Sequence, residues 1–265
     1  MREFINTCVE AARAGGELLR QWHGRIRARE KGPRDLVSEA DLASQAEIRR
    51  LVLSRFPTHS FIGEEDTHDD VAARETTADY RWIVDPLDGT TNYVHGLPGY
   101  AVSVGLEHRG RIIAGAVYDP VGDECFTAAL GEGARLNDEP IRVSECERLN
   151  EALLAASFSA NVPRGSEEVK RFVELLHSSR AVRRLGSAAL NLCYVAAGRL
   201  DGYWATSVKI WDVAAGCIIL TEAGGVLRNV EGGPFVLDEP RLACTSTEVL
   251  MEQLQAALAR CVAAP

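Results

Sequence analysis

Residues 82–92 read Trp-Ile-Val-Asp-Pro-Leu-Asp-Gly-Thr-Thr-Asn, and the order of residue types in this stretch decides the architecture. Trp82, Ile83 and Val84 form the short apolar run of a strand buried on both faces. The run leads straight into two carboxylates, Asp85 and Asp88. Gly89, Thr90 and Thr91 then suit a tight turn that opens the first turn of a helix. Carboxylate oxygens hold hard cations, and a helix start offers unpaired backbone N–H groups to an anion. Metal-type acids beside an anion site point to phosphate-ester chemistry.

The spacing of the two acids narrows that chemistry. Enzymes with an aspartyl nucleophile carry two acids two apart, on one face of a strand. Here Pro86 and Leu87 intervene, which predicts that Asp88 lies beyond the strand, in the turn. Two acids so placed suit convergence on a metal cluster better than a nucleophile and its acid partner. The plain structural alternative is a turn in which Asp88 caps the helix that follows. An aspartic-protease motif is a poor match, because the Gly-Thr order is reversed and no second copy exists.

Upstream, apolar positions from Phe4 to Trp22 follow the helical period and predict a helix over 2–28. A loop is expected at Lys31-Gly32-Pro33-Arg34, then a helix from about Ser38 to just before Pro57, then a short strand at Phe61-Ile62-Gly63. Downstream, Ala101–Leu106, Arg111–Tyr118 and Glu124–Ala129 alternate with turn residues and predict an antiparallel meander. After about residue 150 the pattern becomes mixed. A strand is expected at Leu153–Ser157 and helices at Glu167–Ser179, Ser187–Ala197, Val213–Ala223 and about 247–262. The expectation is an α+β N-terminal half over 1–150, carrying most of the candidate metal ligands. An α/β half over 151–265 would carry Asp212 and the substrate-selecting region, the two layered into one body.

Composition sets the outer limits. The chain has 265 residues, 46% hydrophobic and 25% charged, as in ordinary globular proteins. Its 29 Lys and Arg face 38 Asp and Glu, a net charge of −9, which argues against binding a nucleic-acid polymer. The seven cysteines are scattered, odd in number and free of any Cys-x-x-Cys pair, which disfavours a zinc cluster or disulfide framework. No signal-type or membrane-crossing apolar run is present, so a cytoplasmic protein without a membrane partner is expected.

Further acids lie far from the motif in sequence. Glu64 and Glu65 end a short apolar run and offer a ligand, or else begin an acidic surface loop with Asp66, Asp69 and Asp70. Asp212, in Ile210-Trp211-Asp212-Val213-Ala214-Ala215-Gly216, stands where a helix begins and is a ligand or a cap. Asp41, in Ser38-Glu39-Ala40-Asp41, fits a capping box as well as a site. Gly186-Ser187-Ala188-Ala189 is a second helix start that faces an anion or is simply capped. The six histidines show no metal-type spacing, and His95 suits packing or support of the site better than ligation.

Taken in order and separation, Gly63-Glu64-Glu65, Trp82 to Asn92, Trp211 to Gly216 and Glu222-Ala223-Gly224-Gly225 resemble the inositol monophosphatase family of metal-dependent sugar phosphatases. The resemblance covers nearly the whole chain. It implies an αβαβα layered sandwich, usually a homodimer, and a Mg²⁺ cluster between the halves. It implies that Glu64, Asp85 and the Leu87 carbonyl hold one metal, and that Asp85, Asp88 and Asp212 hold a second. Asp41 would serve a third through water. Glu64 and Thr90 would orient and activate the attacking water, and the Gly89 and Thr90 amides would grip the phosphate. Lys31 matches a basic position near the site. Arg183, Gly186 and Ser187 would line the substrate pocket together with Asp88 and Asp212. Sensitivity to Li⁺ is also implied.

One departure concerns the substrate. Many members with inositol-type substrates carry an acid seven residues before the Asp of the Trp-Asp motif, where it binds sugar hydroxyls. This chain has Ala205 there. The expected function is hydrolysis of a small polyol or sugar phosphate, inositol-1-phosphate first. The alternatives are histidinol phosphate, fructose-1,6-bisphosphate and phosphoadenosine nucleotides, or a catalytically idle relative acting as a regulatory partner.

Overall fold

The computed structural model describes residues 1–25, 29–32, 35–66, 78–159 and 161–260, with only the backbone of 29–32 and 35–37. Two helices open the chain, α1 (Arg2–Trp22) and α2 (Glu39–Arg55), with a hairpin of β1 (Arg29–Gly32) and β2 (Asp35–Val37) between them. Helix α1 stops at Trp22, short of the expected 28, because the chain turns at Gly24 with a φ of 73°. Lys31 and Gly32 belong to β1 and not to a loop; the Lys31 side chain and residues 33–34 lie outside the described residues.

A seven-stranded sheet follows, in the order β3 (Ser60–Gly63), β4 (Tyr80–Asp88), β5 (Ala101–His108), β6 (Arg111–Asp119), β7 (Glu124–Ala129), β8 (Ala134–Leu136), β9 (Glu139–Ile141). Strands β3 and β4 run parallel, and every later neighbour is antiparallel, the predicted meander extended by a short hairpin. A five-stranded sheet has the order β11 (Ala181–Arg183), β10 (Leu153–Ser157), β12 (Gly202–Ala205), β14 (Leu242–Thr245), β13 (Val226–Asn229). Its helices are α4 (Glu167–Ser178), α5 (Ala188–Ala196), α6 (Ile210–Glu222) and α7 (Glu248–Arg260). Cys261, expected at the end of α7, lies outside the described residues. A short helix, α3 (Thr90–Val94), leaves the end of β4.

Hydrophobic patterning explains the stacking. Helix α1 has its buried residues on one stripe, Cys8, Ala11, Ala12, Gly15 and Leu19, and lays it with α2 on one face of the large sheet. Helices α5 and α6 are apolar on nearly every side, and they are buried between the two sheets. Helices α4 and α7 cover the outer face of the small sheet. The result is an αβαβα sandwich. Adjacent residues of β12 feed different cores: Tyr203 faces α5 and α6, and Trp204 faces the α4–α7 layer. Trp82 is fully buried and donates from Nε1 to His59 Nδ1 at 3.1 Å. Burial of a large apolar side chain contributes roughly 1.5–3 kcal/mol.

Close packing of α6 on the large sheet and on α5 depends on small residues. A Cβ on Gly115 of β6 would meet Ala215 Cα at 2.9 Å, and one on Gly216 would meet Leu192 Cδ1 at 2.6 Å. Among the described residues, Cys8, Cys125, Cys146, Cys193, Cys217 and Cys244 are free thiols, and no helix is long and apolar enough to cross a membrane.

Candidate active site

Strand β4 carries the site, and a bulge shapes it. Asp85 pairs with Ser103 and Asp88 with Ala101, so three steps along β4 match two along β5. Asp88 therefore lies within the strand's ladder after a bulge, not in the turn beyond it as the spacing predicts. Pro86 has no N–H to give the ladder. Its carbonyl accepts the Ser44 hydroxyl of α2 at 3.1 Å, and Leu87 N–H donates to Asp85 Oδ1 at 2.9 Å. Gly89 follows at a φ of 96°, and Thr90 Oγ1 donates to the Leu87 carbonyl at 3.1 Å.

The remaining acids arrive from other elements. Strand β3 runs parallel to β4 with Gly63 opposite Val84, and Glu64 N–H donates to the Val84 carbonyl at 3.2 Å, which sets Glu64 alongside Asp85. Helix α2 fixes that turn. Glu65 N–H donates to Gln45 Oε1 at 2.9 Å, Gln45 Nε2 donates to Asp66 Oδ1 at 2.8 Å, and Gly63 N–H donates to Asp66 Oδ2 at 2.9 Å. Arg49 also pairs with Asp66. Asp66 is thus the anchor of the turn and not part of a loose acidic loop; residues 69 and 70 lie outside the described residues. Asp212 enters from the first turn of α6, where its Oδ2 accepts Lys209 N–H at 2.7 Å and Ser103 Oγ donates to the Trp211 carbonyl at 3.2 Å.

Charge records the convergence. Burial pushes the Asp85 carboxyl well up, and Glu64, Asp88 and Asp212 push it further. Asp88 is raised to about 6, by burial first and by Glu64. Asp212 is raised to about 8 by burial, Asp88 and Glu64, and it shares a hydrogen bond with Asp85. The groups that act most strongly on these aspartates, after burial itself, include one another. Among the described residues no three acidic, histidine or cysteine side chains stand in a ready-made ligand geometry. Asp88 instead accepts at Oδ2 from Ser187 Oγ and Ala189 N–H, both at 2.6 Å. It caps α5 in the other half of the chain, not the helix that follows it in sequence. Asp41 belongs to the first turn of α2. It is buried, and its Oδ2 accepts Ser38 N–H at 2.9 Å and Ser38 Oγ at 2.5 Å in the capping box of α2.

A cavity of about 510 Å³ opens beside these acids, with Asp88, Asp212, Thr91 and Asn92 in its wall. Of the expected pocket residues, Gly186 lines it, whereas Ser187 is fully buried as the cap of α5 and hands its hydroxyl to Asp88. Ala205 is fully buried in β12 and does not line the cavity; Val208 does. Arg183, the last residue of β11, is exposed and does not line it either. The arginine in the wall is Arg184, because successive residues of an extended chain point to opposite sides. Gly89 and Thr90 directly precede the wall residue Thr91, at the end of β4 and the start of α3.

Asn92 is the functional-site residue that sequence patterning leaves without a role. Its Nδ2 donates to the Gly99 carbonyl at 2.8 Å and to the Leu185 carbonyl at 2.7 Å, joining the two halves at the cavity. Gly186, at a φ of 96°, leaves room for it, since a Cβ there would meet Asn92 Nδ2 at 2.6 Å. The Asn that ends the Trp82–Asn92 stretch and the Gly before Ser187 are visible in sequence; that they meet is not.

The family model of the inositol monophosphatases matches residues 1–263. The chain belongs to the inositol monophosphatase family. It is 39% identical over 252 residues to an inositol-1-monophosphatase of Rhizobium meliloti, covering 93% of this chain and 92% of that one. It is 37% identical over 258 residues to a Nus factor SuhB of Pasteurella multocida, covering 96% and 95%. Its fold matches the crystal structure of the extragenic suppressor protein suhB from Bartonella henselae with a TM-score of 0.89 at 36% identity, over 97% of this chain and 98% of that one. Inositol monophosphatases are metal-dependent enzymes that act on phosphate monoesters, and this chain is an enzyme of that class. The donor set fits a metal. It is made of oxygen alone, Asp85 and Asp88 are buried in it, and its carboxylates repel one another, a charge that a cation would offset.

Proposed function

We propose that the protein is a Mg²⁺-dependent phosphomonoesterase for a small polyol or sugar phosphate, with inositol-1-phosphate the first substrate to test. The observation that carries this is the convergence of Glu64, Asp85, Asp88 and Asp212, from two separate elements and a turn, beside a cavity large enough for a sugar phosphate. Glu64, Asp85 and the Leu87 carbonyl would hold one cation, and Asp85, Asp88 and Asp212 a second; Asp41 would reach a third only through water. When bound there, the metal supplies Lewis-acid chemistry: it lowers the pKa of water and offsets charge on phosphate and leaving alkoxide. A hard, small cation that keeps several waters is favoured by an all-oxygen set.

The chain's own groups do the rest. Glu64 takes the proton of the attacking water, and Thr90 orients that water while its hydroxyl stays in reach of the Leu87 carbonyl. The Gly89 and Thr90 amides hold phosphate oxygens at the start of α3. Gly186 and the Asp88–Ser187 link shape the wall against the sugar. Attack is direct, with no phospho-enzyme at Asp85.

Phosphate release in the presence of Mg²⁺ tests this across inositol phosphates, fructose-1,6-bisphosphate, histidinol phosphate and phosphoadenosine nucleotides. Asp88→Asn removes a ligand charge and is expected to lower kcat/KM by orders of magnitude with the fold retained. Near-normal turnover in that variant overturns the assignment. A chain inactive on every ester, yet folded, would favour a regulatory role. Inhibition by Li⁺, a homodimer in sedimentation and a cytoplasmic location complete the proposal.

A further inference from the structure

The cavity wall contains one basic side chain among the described residues, Arg184. Its guanidinium carbon lies 4.1 Å from the centre of the Phe158 ring, and its Nη2 donates to the Phe158 carbonyl at 3.1 Å. Phe158 is itself fixed, edge-on to Phe172 at 5.7 Å and stacked on the buried Trp204 at 5.9 Å. The planar cation is therefore held in one orientation at low entropic cost.

Several other arginines in the protein spend their charge on carboxylates. Arg199 pairs with Glu124, Arg228 with Glu248, Arg241 with Glu231 and Arg260 with Glu174. Among the described residues no carboxylate pairs with Arg184, although the chain carries a net charge of −9 and Asp88 and Asp212 line the same cavity. Its near neighbours in the wall, Ala156, Ser157 and Phe158, are uncharged. An arginine oriented by a ring and a carbonyl, with donors left over and no carboxylate partner among the described residues, is built to receive a planar or tetrahedral anion from outside.

We infer that Arg184 is a specificity residue that binds a second anionic group of the substrate. The preferred substrates are then phosphate monoesters that also carry another phosphate or a carboxylate. The scissile phosphate lies at the acid cluster, and the second anion rests on the guanidinium. No bond is made or broken at Arg184; it contributes binding alone. This inference rests on the phosphomonoesterase proposal and sharpens it from sugar phosphates in general to those with two anionic ends.

The test uses the full-length protein with Mg²⁺ and three esters: inositol-1-phosphate, fructose-1,6-bisphosphate and 6-phosphogluconate. Arg184→Gln is expected to raise KM about tenfold or more for the two esters with a second anion, with kcat little changed, because remote binding lost equally from ground and transition states appears in KM. Inositol-1-phosphate should stay within about twofold of its wild-type value. Arg184→Lys should recover part of the loss by charge without the fork. A selective loss on only the bisphosphate or only the carboxylate identifies which anion is read. Equal losses on all three esters, or none on any, overturn the inference while the phosphatase proposal stands. No release from any of the three by the wild-type protein removes both.

Discussion

Asp85 shows how a residue can serve chemistry at the expense of stability. It is buried beside Glu64, Asp88 and Asp212, and its carboxyl is pushed up by all of them as well as by burial. A carboxylate whose folded pKa is raised binds its proton more tightly folded than unfolded, so stability falls as pH rises from the unfolded value through the folded one. Unfolded carboxylates titrate near 4, while Asp88 titrates at about 6 and Asp212 at about 8. The metal-free protein should therefore lose thermal stability steadily between about pH 4 and 8. Addition of Mg²⁺ at pH 8 should restore it. Asp85→Asn removes one of the repelling charges and should flatten that profile while abolishing turnover. Melting curves in EDTA and in Mg²⁺ across this range check both; a metal-free midpoint that rises with pH would contradict the account.

At the scale of elements, the turn after β3 is held by side chains that no motif advertises. Gly63 has room only for hydrogen, because a Cβ would run into the Gln45 amide that ties Glu65 and Asp66. Gly63→Ala should cost about 1–3 kcal/mol as Gln45 is displaced, and kcat should fall by more than the stability change accounts for, since Glu64 moves with the turn. Denaturant midpoints and kcat measured together separate the two effects. The same region shows what sequence reading captures. The helices, the apolar strand of Trp82 to Val84 and the meander are legible because hydrophobic periodicity is a local signal. The four clustered acids are found through a family resemblance whose motifs sit around them. Strands β11 to β14 are three or four residues long, too short for alternation to register. The bulge, the cap that Asp88 places on α5, and the choice of Arg184 over Arg183 depend on register and on contacts between distant segments, which spacing does not encode.

For the molecule as a whole, the shared layer of α5 and α6 makes the two sheets one body. Ala215 and Ile218 pack with the large sheet, while Val213, Cys217 and Leu220 pack with the small one, so neither sheet keeps its core without α6. Gly115→Val, aimed at Ala215, should lower stability by about 1–3 kcal/mol and should do so for both sheets at once. Tryptophan fluorescence reports it directly, because Trp82 lies in the first core and Trp204 in the last. Single-tryptophan variants retaining one or the other should show coincident unfolding curves; separated midpoints would mean that the layers part. The bulge between Asp85 and Asp88 carries a consequence on the scale of descent. Loss of one codon there would bring β4 and β5 into unbroken register, leave Trp82 to Val84 in place and keep the following carboxylate opposite Ala101, two residues from Asp85 on the same face of the sheet. Within this architecture the acid spacing that suits a metal cluster and the spacing of an aspartyl nucleophile stand a single deletion apart.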